Sequence, residues 1–242
     1  MKPSKHPHIE LRQGESINEF MEGRLKLIQS KDGYRFSIDA VLLSHFVTIK
    51  PGDLVVDLGT GCGVILLILL LTRPVKHALG LEIQEDLASQ AARNARLNGF
   101  EDRMNVVLGD IRRPPFAENS ADVVVCNPPY RGVGSGRINP DTRKAIARHE
   151  ILASIEDVML AAKRLLREKG RLVVIYPSVR LVDILIRMRQ FDLEPKRIQI
   201  NHPGLTSSAK LVLMEASLGG KPGLEIAPPI LGQGDFSIGS PP

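Results

Sequence analysis

The order of apolar and polar positions predicts a long alternation of strands and helices from residue 51 onward. Short apolar runs of strand length alternate there with segments of helical periodicity. The predicted strands are 54–58, 78–83, 104–108 and 123–126, and the predicted helices among them are 64–71 and 84–98. A strand–helix alternation of this kind predicts a doubly wound α/β sheet.

The same pattern continues in the last third of the chain. Ser154 and Asp157 form a predicted capping box ahead of apolar positions at helical spacing, and Gly170 is predicted to end that helix. Strand 171–176, helix 179–190 and strands 196–201 and 210–216 follow. Because only a turn-rich stretch separates the last two strands, we expect them to pair antiparallel. The predicted sheet is therefore mostly parallel, with an antiparallel C-terminal hairpin strand.

Both ends of the chain have weaker patterns. Residues 1–23 are polar and predict an extended or frayed arm with little structure of its own. Residues 24–29 alternate ahead of the turn dipeptide Asp32-Gly33, which together predict a short hairpin, and a helix is predicted over 38–47. The predicted parts are thus an arm with a small hairpin and helix cap at 1–50, an α/β domain at 51–217, and an extended Pro/Gly-rich tail at 218–242.

Composition narrows the class of protein. The chain has 242 residues and 43% hydrophobic content, which suits one compact domain. Its formal charge of +5 suggests a polyanionic partner, although many soluble proteins are equally basic. The two cysteines suit a reducing compartment, and the apolar run 64–71 is far shorter than the roughly 20 residues that span a bilayer. We expect a cytoplasmic protein with no membrane segment, no metal site and no obligate protein partner.

A glycine-rich turn, Asp57-Leu58-Gly59-Thr60-Gly61-Cys62-Gly63, follows the first strand of the alternation. Glycines allow the backbone to approach a bound cofactor closely, and Glu82, at the end of the next strand, can accept hydrogen bonds from two ribose hydroxyls. These features predict a nucleoside-containing cofactor. Taken alone they leave a dinucleotide site open, because such a site also has a glycine turn and an acidic residue about 20 positions later.

The tetrapeptide Asn127-Pro128-Pro129-Tyr130 marks the predicted substrate position. It crosses the carboxyl end of strand 123–126, where open α/β sheets bind their ligands. Two consecutive prolines remove two backbone N–H donors and keep their carbonyl acceptors. Together with the Asn127 side-chain oxygen and the Tyr130 ring, this turn suits a planar base with an exocyclic amine. We predict these four residues as the catalytic set.

The two turns together resemble known motifs. The glycine turn with its preceding aspartate resembles motif I of the class I methyltransferases, and Asn-Pro-Pro-Tyr resembles motif IV of those that methylate exocyclic or amide nitrogens. The resemblance implies a class I Rossmann-like methyltransferase fold and S-adenosyl-L-methionine (SAM) as cofactor. The cofactor residues that it implies are Phe36, Asp39, Asp57, Gly59, Thr60, Gly61, Gly63, Glu82, Ile83, Asp110, Ile111 and Asn127. For Phe36 and Asp39, packing of the N-terminal segment is the alternative.

A wider set of segments is similar to the bacterial tRNA(Val) adenine-N6 methyltransferase family, which methylates the adenosine 3′ of the anticodon. The similarity covers roughly residues 15–230 and rests on segments 23–29, 32–40, 57–63, 81–84, 127–131, 134–137 and 147–150. It implies tRNA as the partner. The candidate phosphate contacts are Arg131, Arg137, Arg143, Lys144 and Arg148. Their alternative role is a solvated loop that leads into an amphipathic helix.

Other functions remain open at this point. A release-factor glutamine N5-methyltransferase uses the same proline turn. Chains of that family, however, have a separate helical N-terminal domain. A DNA adenine methyltransferase would need a target-recognition domain for which the chain has no space. Two alternatives come from other classes of protein. One is a SAM- and RNA-binding protein without catalysis, and the other is a nicotinamide oxidoreductase.

Overall fold

The fold is organised around a mostly parallel central sheet. The structure is a computed structural model, and it describes residues 9–31, 38–128 and 153–232. The strands are β1 (Glu15–Phe20), β2 (Leu25–Ser30), β3 (Leu54–Leu58), β4 (His77–Glu82), β5 (Met104–Leu108), β6 (Ala121–Cys126), β7 (Leu166–Pro177), β8 (Leu193–His202), β9 (Leu211–Leu218), β10 (Glu225–Ile226) and β11 (Ile230–Leu231). The helices are α1 (Ile38–Phe46), α2 (Val64–Thr72), α3 (Glu85–Leu97), α4 (Ile155–Leu165) and α5 (Leu181–Gln190), with a 3₁₀ turn at Ser178–Arg180.

The strand order confirms the predicted architecture. The order along the sheet is β10-β8-β9-β7-β6-β3-β4-β5, and β11 also pairs with β8. β3 pairs in parallel with both β4 and β6, whereas β9 is antiparallel to its neighbours β7 and β8. After β3 the chain first builds β4 and β5 on one side and then places β6 on the other. This change of direction creates a crevice at the carboxyl ends of β3 and β6, where such sheets bind ligands.

The central strands are apolar on both faces because helices cover both faces. In β6, Val123 and Val125 belong to the core that also contains α1 and α2, while Val124 and Cys126 belong to the core that contains α4. Burial on both faces explains why such strands are continuous apolar runs rather than alternating ones. Within residues 9–31, 38–128 and 153–232, no helix has the length and hydropathy needed to cross a bilayer.

The N-terminal hairpin differs from the prediction. Its partner strands are β1 and β2, so β1 lies inside the segment that was expected to have little structure. The prediction was wrong because the connecting turn has no typical turn dipeptide: Met21, Glu22 and Gly23 all have positive φ, at 52°, 57° and 79°. Asp32-Gly33, the dipeptide on which the prediction relied, lies outside the described residues.

The end of α4 also differs from the prediction. The capping box is confirmed, because the Asp157 N–H donates to Ser154 Oγ (3.1 Å) and the Ser154 N–H donates to Asp157 Oδ2 (2.8 Å). The helix, however, ends at Leu165 rather than at Gly170, and Leu166 already pairs with Ala121 of β6. Gly170 lies within β7 beside an irregularity in strand register. A Cβ there would be 2.8 Å from the Arg167 carbonyl oxygen, so glycine serves close backbone approach and not helix termination.

Up to Gly232, the tail lies along the outer edge of the sheet. β10 and β11 pair in parallel with β8. The Gln199 side chain donates to the Pro228 carbonyl (2.9 Å) and the Asn201 side chain donates to the Gly232 carbonyl (2.9 Å). Side-chain amides of β8 thus add to the backbone pairing that holds the tail.

We expect Ser154→Ala to lower the free energy of unfolding by about 1 kcal/mol, because the cap of the Asp157 N–H is lost. Urea denaturation followed by circular dichroism measures this difference. Ser154→Thr, which keeps a hydroxyl that can accept the Asp157 N–H and donate to the Asp157 carboxylate, is the control and should lose much less. Equal stability of the alanine variant and the wild type would contradict the stabilising role of this cap.

Candidate functional site

Strand register brings the candidate residues to one edge of the sheet. Asp57 of β3 pairs with Gly80 of β4 on one side and with Val125 of β6 on the other. Glu82 and Asn127 each lie two residues beyond those partners. The glycine turn, Glu82 and Asn127 therefore lie together at the carboxyl ends of adjacent strands.

The glycine turn is held closely against β4. The Gly59 and Thr60 N–H groups both donate to the Leu81 carbonyl, at 2.8 and 3.0 Å. Gly59 has φ +80°, a left-handed conformation that favours glycine. The Gly59 backbone is exposed, so the turn presents main chain rather than side chains to the crevice.

Gly80 is a functional residue that the sequence interpretation missed. A Cβ at this position would lie 2.7 Å from Thr60 Cγ2, so only glycine leaves room for the threonine side chain. Thr60 in turn donates its hydroxyl to Asp57 Oδ2 (2.8 Å). A glycine inside a strand is the available sequence signal, because it indicates close approach of another segment.

The Glu82 carboxylate joins the turn to the start of α3. Its side chain is buried, at 5% exposure for the residue. Oε2 accepts the Gly61 N–H (2.9 Å) and Oε1 accepts the Gln84 N–H (3.0 Å). Since each carboxylate oxygen has two lone pairs, each retains capacity for one further donor. Two hydroxyls on adjacent carbons would suit this arrangement.

Asp57 is a buried carboxyl at the floor of the site. Burial raises its pKa to about 7; the Thr60 hydroxyl opposes this shift and the nearby Glu82 charge adds to it. Within the described part of the chain its Oδ1 is buried without a hydrogen-bond partner. An unpaired buried acceptor beside an open glycine backbone fits a ligand that brings a donor or a positive charge.

The turn after β5 closes another side of the site. The Gly109 N–H donates to the Glu82 carbonyl (2.9 Å), and Ile111 Cδ1 lies 3.8 Å from where a Gly59 Cβ would be. Asp110 is half-buried, and a hydrogen bond from the Arg112 side chain lowers its pKa. A ligand amine at Asp110 would therefore compete with Arg112 for the carboxylate.

Two further candidates are less closely connected to this site. Ile83 is 49% exposed at the start of the β4–α3 connection. Asp39 is half-buried in the first turn of α1. Their contribution to cofactor binding stays a prediction.

The proline turn begins beside the glycine turn. The Cys126 thiol donates to the Leu58 carbonyl (3.0 Å), which joins the end of β6 to the residue preceding Gly59. Burial raises the pKa of Cys126 well above its usual value, so the thiol keeps the proton that it donates. Asn127 is half-buried and Pro128 is buried. The remaining candidates, Phe36, Pro129, Tyr130, Arg131, Arg137, Arg143, Lys144 and Arg148, lie outside the described residues.

Comparison with protein families and curated proteins points to one activity. The family model described as "Methyltransferase domain" matches residues 49–209. A tRNA1(Val) (adenine(37)-N6)-methyltransferase of Porphyromonas gingivalis is 31% identical over 183 residues, which cover 72% of this chain and 71% of the relative. Proteins with the same name from Aeromonas salmonicida and Parabacteroides distasonis are each 28% identical, over 74% and 77% of this chain and 76% and 78% of their own.

Solved structures support the fold. A predicted O-methyltransferase from Agrobacterium tumefaciens superposes with a TM-score of 0.63 at 20% identity, covering 84% of this chain and 92% of that one. A geranyl diphosphate C-methyltransferase from Streptomyces coelicolor, solved with S-adenosyl-L-homocysteine, has a TM-score of 0.53 at 17% identity, covering 74% and 78%. At these identities the likeness shows a common fold.

We expect Asp57→Asn to change the pH dependence of stability in a defined direction. The pKa of Asp57 is raised from 3.8 to about 7, so the folded state favours the protonated carboxyl. Its contribution to stability is therefore lost as pH rises from about 4 to about 7, by up to about 4 kcal/mol. The asparagine variant should gain stability relative to the wild type across this window, measured by chemical denaturation at each pH.

Asp110→Asn is the matched control, because the pKa of Asp110 is lowered and its contribution has the opposite sign. That variant should lose stability relative to the wild type as pH rises toward about 4, and the difference should stay nearly constant from there to pH 8. If the difference in the free energy of unfolding between Asp57→Asn and the wild type stays constant from pH 4 to 8, the pKa of Asp57 is not raised.

Proposed function

This chain belongs to the tRNA1(Val) adenine-N6 methyltransferase family, and we propose that it transfers a methyl group from SAM to N6 of an adenine in tRNA. The proposed target is the adenosine 3′ of the anticodon of tRNA(Val). The observation that carries this proposal is the position of Asn127-Pro128 beside the glycine turn, where strand pairing and the Cys126–Leu58 contact hold the two together.

The cofactor of this methyltransferase is SAM, and the residues around the glycine turn fit it. Glu82 has acceptor capacity for two ribose hydroxyls, and the exposed Gly59 backbone allows close approach. The buried Asp57 carboxylate would favour a cationic ligand over a neutral one. When bound, SAM supplies an electrophilic methyl group on a positively charged sulfur.

Asn127 and Pro128 would activate the acceptor amine. The N6 lone pair of adenine is delocalised into the ring, which makes the nitrogen a poor nucleophile. The Asn127 side-chain oxygen and the Pro128 carbonyl would accept the two amine hydrogens and favour a pyramidal nitrogen. As positive charge develops on that nitrogen, these fixed dipoles stabilise it, and loss of one such group typically costs about 10²–10³-fold in rate. No strong general base is needed before attack.

The segment after Pro128 would hold the rest of the substrate. We propose that Pro129 continues the acceptor turn and that Tyr130 stacks on the base, a contact worth roughly 1–3 kcal/mol. An unstacked loop base costs less to extrude into a pocket than a base within a duplex, which favours a tRNA loop as substrate. Since tRNA is the proposed substrate, the cytoplasm is the proposed compartment.

We expect the wild-type protein to place label from radioactive SAM in N6-methyladenosine of unmodified tRNA. Parallel reactions with DNA and with release factor should remain unlabelled. Asn127→Ala should lower the rate of transfer by at least about 10²-fold and leave the dissociation constant for SAM within about twofold, because Asn127 acts on the amine. Nucleoside analysis and calorimetric titration measure the two quantities.

Asn105→Ala, at an exposed asparagine on β5, is the matched control and should behave as wild type. Label in glutamine of the release factor would favour the alternative methyltransferase class. Equal transfer by wild type and Asn127→Ala would refute the role of Asn127, and SAM binding without transfer to any of the substrates would favour a non-catalytic binding protein.

We expect affinity for tRNA to fall steeply with salt. If the five basic residues proposed for phosphate contact all bind, the slope of log K against log salt is roughly −3.5. Alanine at any one of Arg131, Arg137, Arg143, Lys144 or Arg148 should make this slope shallower by about 0.7. Lys76→Ala, at the exposed amino end of β4 and therefore at the opposite edge of the sheet, should leave it unchanged. Salt-independent binding would contradict recognition through phosphates.

A further inference from the structure

Asn94 of α3 and Asn98, the residue that follows α3, bind the free edge of the N-terminal hairpin. Asn94 accepts the Ile28 N–H at its side-chain oxygen (2.7 Å) and donates to the Ile28 carbonyl (3.3 Å). Asn98 makes the same pair of bonds to Lys26, at 2.9 and 2.8 Å. Each side-chain amide thus pairs with one residue of β2 as a neighbouring strand would. The opposite edge of β2 pairs with β1.

The spacing of the two asparagines matches the spacing of the strand. Four residues of helix advance about 6.0 Å, and two residues of strand advance about 6.6–6.8 Å. Residues 94 and 98 on one helix face therefore meet residues 26 and 28, which point their backbone groups to the same side of β2. An ion pair between Arg93 and Glu15 of β1, 2.5 Å long and largely buried, further attaches the hairpin to α3.

The two asparagines differ in the use of their second amide hydrogen. Asn94 Nδ2 also donates to the Cys62 carbonyl in the glycine turn (3.0 Å). Asn98 Nδ2 instead donates to the Asn94 carbonyl of its own helix (2.8 Å). Asn94 is fully buried, so the partners that it satisfies have no access to water in its absence.

The Cys62 carbonyl lies at a constrained point of the turn. The preceding residue, Gly61, donates its N–H to Glu82, and the following residue, Gly63, packs on α3, where a Cβ would be 3.2 Å from Ala91 Cβ. The peptide between residues 62 and 63 is therefore held at both of its polar groups: the Gly63 N–H donates to the Thr60 carbonyl (2.9 Å), and the Cys62 carbonyl accepts the bond from Asn94. That peptide belongs to the turn that fits SAM.

We propose that Asn94 is a positioning residue that couples docking of the N-terminal hairpin to the geometry of the cofactor turn. The hairpin, which forms a separate two-stranded sheet, then contributes to SAM binding through Asn94. This inference rests on the assignment of the glycine turn to SAM within the proposed function, and it does not depend on which substrate accepts the methyl group.

Coupling of this kind is reciprocal. If a docked hairpin strengthens SAM binding by some factor, bound SAM must stabilise the docked hairpin by the same factor. The amide of Ile28, bonded to Asn94, should therefore exchange with solvent more slowly when the cofactor site is filled. The Ala227 amide, bonded to Ile198 at the far edge of the sheet, is the reference for general stabilisation.

The test compares Asn94→Ala with the matched variant Asn98→Ala. Titration calorimetry gives the dissociation constant for SAM, and hydrogen exchange by nuclear magnetic resonance gives protection of Ile28 with and without S-adenosyl-L-homocysteine. We expect Asn94→Ala to weaken SAM binding at least about tenfold, and we expect S-adenosyl-L-homocysteine to raise the protection of Ile28 above that of Ala227 in the wild type, where the Ile28 amide keeps its acceptor. Asn98→Ala should weaken SAM binding less than about twofold and keep that protection.

Equal weakening of SAM binding by the two variants would assign a merely structural role to both asparagines and overturn the proposal. Should Asn94→Ala not fold, the wild-type exchange measurement decides, because Ile28 protection that rises no more than that of Ala227 on binding also overturns it. A protein that binds SAM but methylates no tRNA would refute the proposed function. The titration and exchange measurements would still test the role of Asn94, because they depend only on SAM binding.

Discussion

Close contact between the glycine turn and β4 is the constraint on which the site depends. The Leu81 carbonyl accepts two N–H groups of the turn, and the Glu82 side chain accepts a third from Gly61. This contact requires Gly80, since any side chain there would meet Thr60. The backbone that faces the crevice is thus fixed by the strand next to it, which preorganises the site before any ligand binds.

The same contact concentrates negative charge at the site. Asp57 and Glu82 are both buried, and the Glu82 charge adds to the burial that raises the pKa of Asp57. Such a pair costs stability in the free protein, because one carboxyl is held near neutrality by burial. A cationic ligand that binds there relieves this cost, so the electrostatics of the turn favour a ligand with the charge of SAM over a neutral nucleoside.

The sequence predicts the central elements well where burial determines the pattern. The strands from β3 to β9 are all found and, apart from β7, which begins five residues before its predicted start, they lie within three residues of their predicted limits. The failures have physical causes. The turn between β1 and β2 uses left-handed Met21 and Glu22, and the end of α4 is set by the pairing of Leu166 with Ala121. Neither local composition nor periodicity contains these tertiary contacts.

The candidate site divides in the same way. Motif spacing was sufficient to select Asp57, Glu82 and Asn127, which strand register brings to one edge. Gly80 and Asn94 were not selected, because their roles lie in contacts with Thr60 and with Ile28 and Cys62. Residues that pack against a functional loop from a distant part of the sequence do not belong to the motif of that loop, so motif spacing does not identify them.

Strand register is what places the acceptor turn relative to the cofactor turn. Methyl transfer needs the attacking nitrogen in line with the methyl group and about 3–3.5 Å from its carbon. The permitted variation in that distance is smaller than the spacing of adjacent residues in a strand. Because Val125 pairs with Asp57, Asn127 lies beside the glycine turn. The hydrogen bond from the Cys126 thiol to the Leu58 carbonyl stabilises this position. A slip by one residue would turn Asn127 to the other face of the sheet. Under the proposed mechanism, buried valines in β3 and β6, remote from the reacting atoms, therefore determine whether the proposed acceptor groups meet the amine.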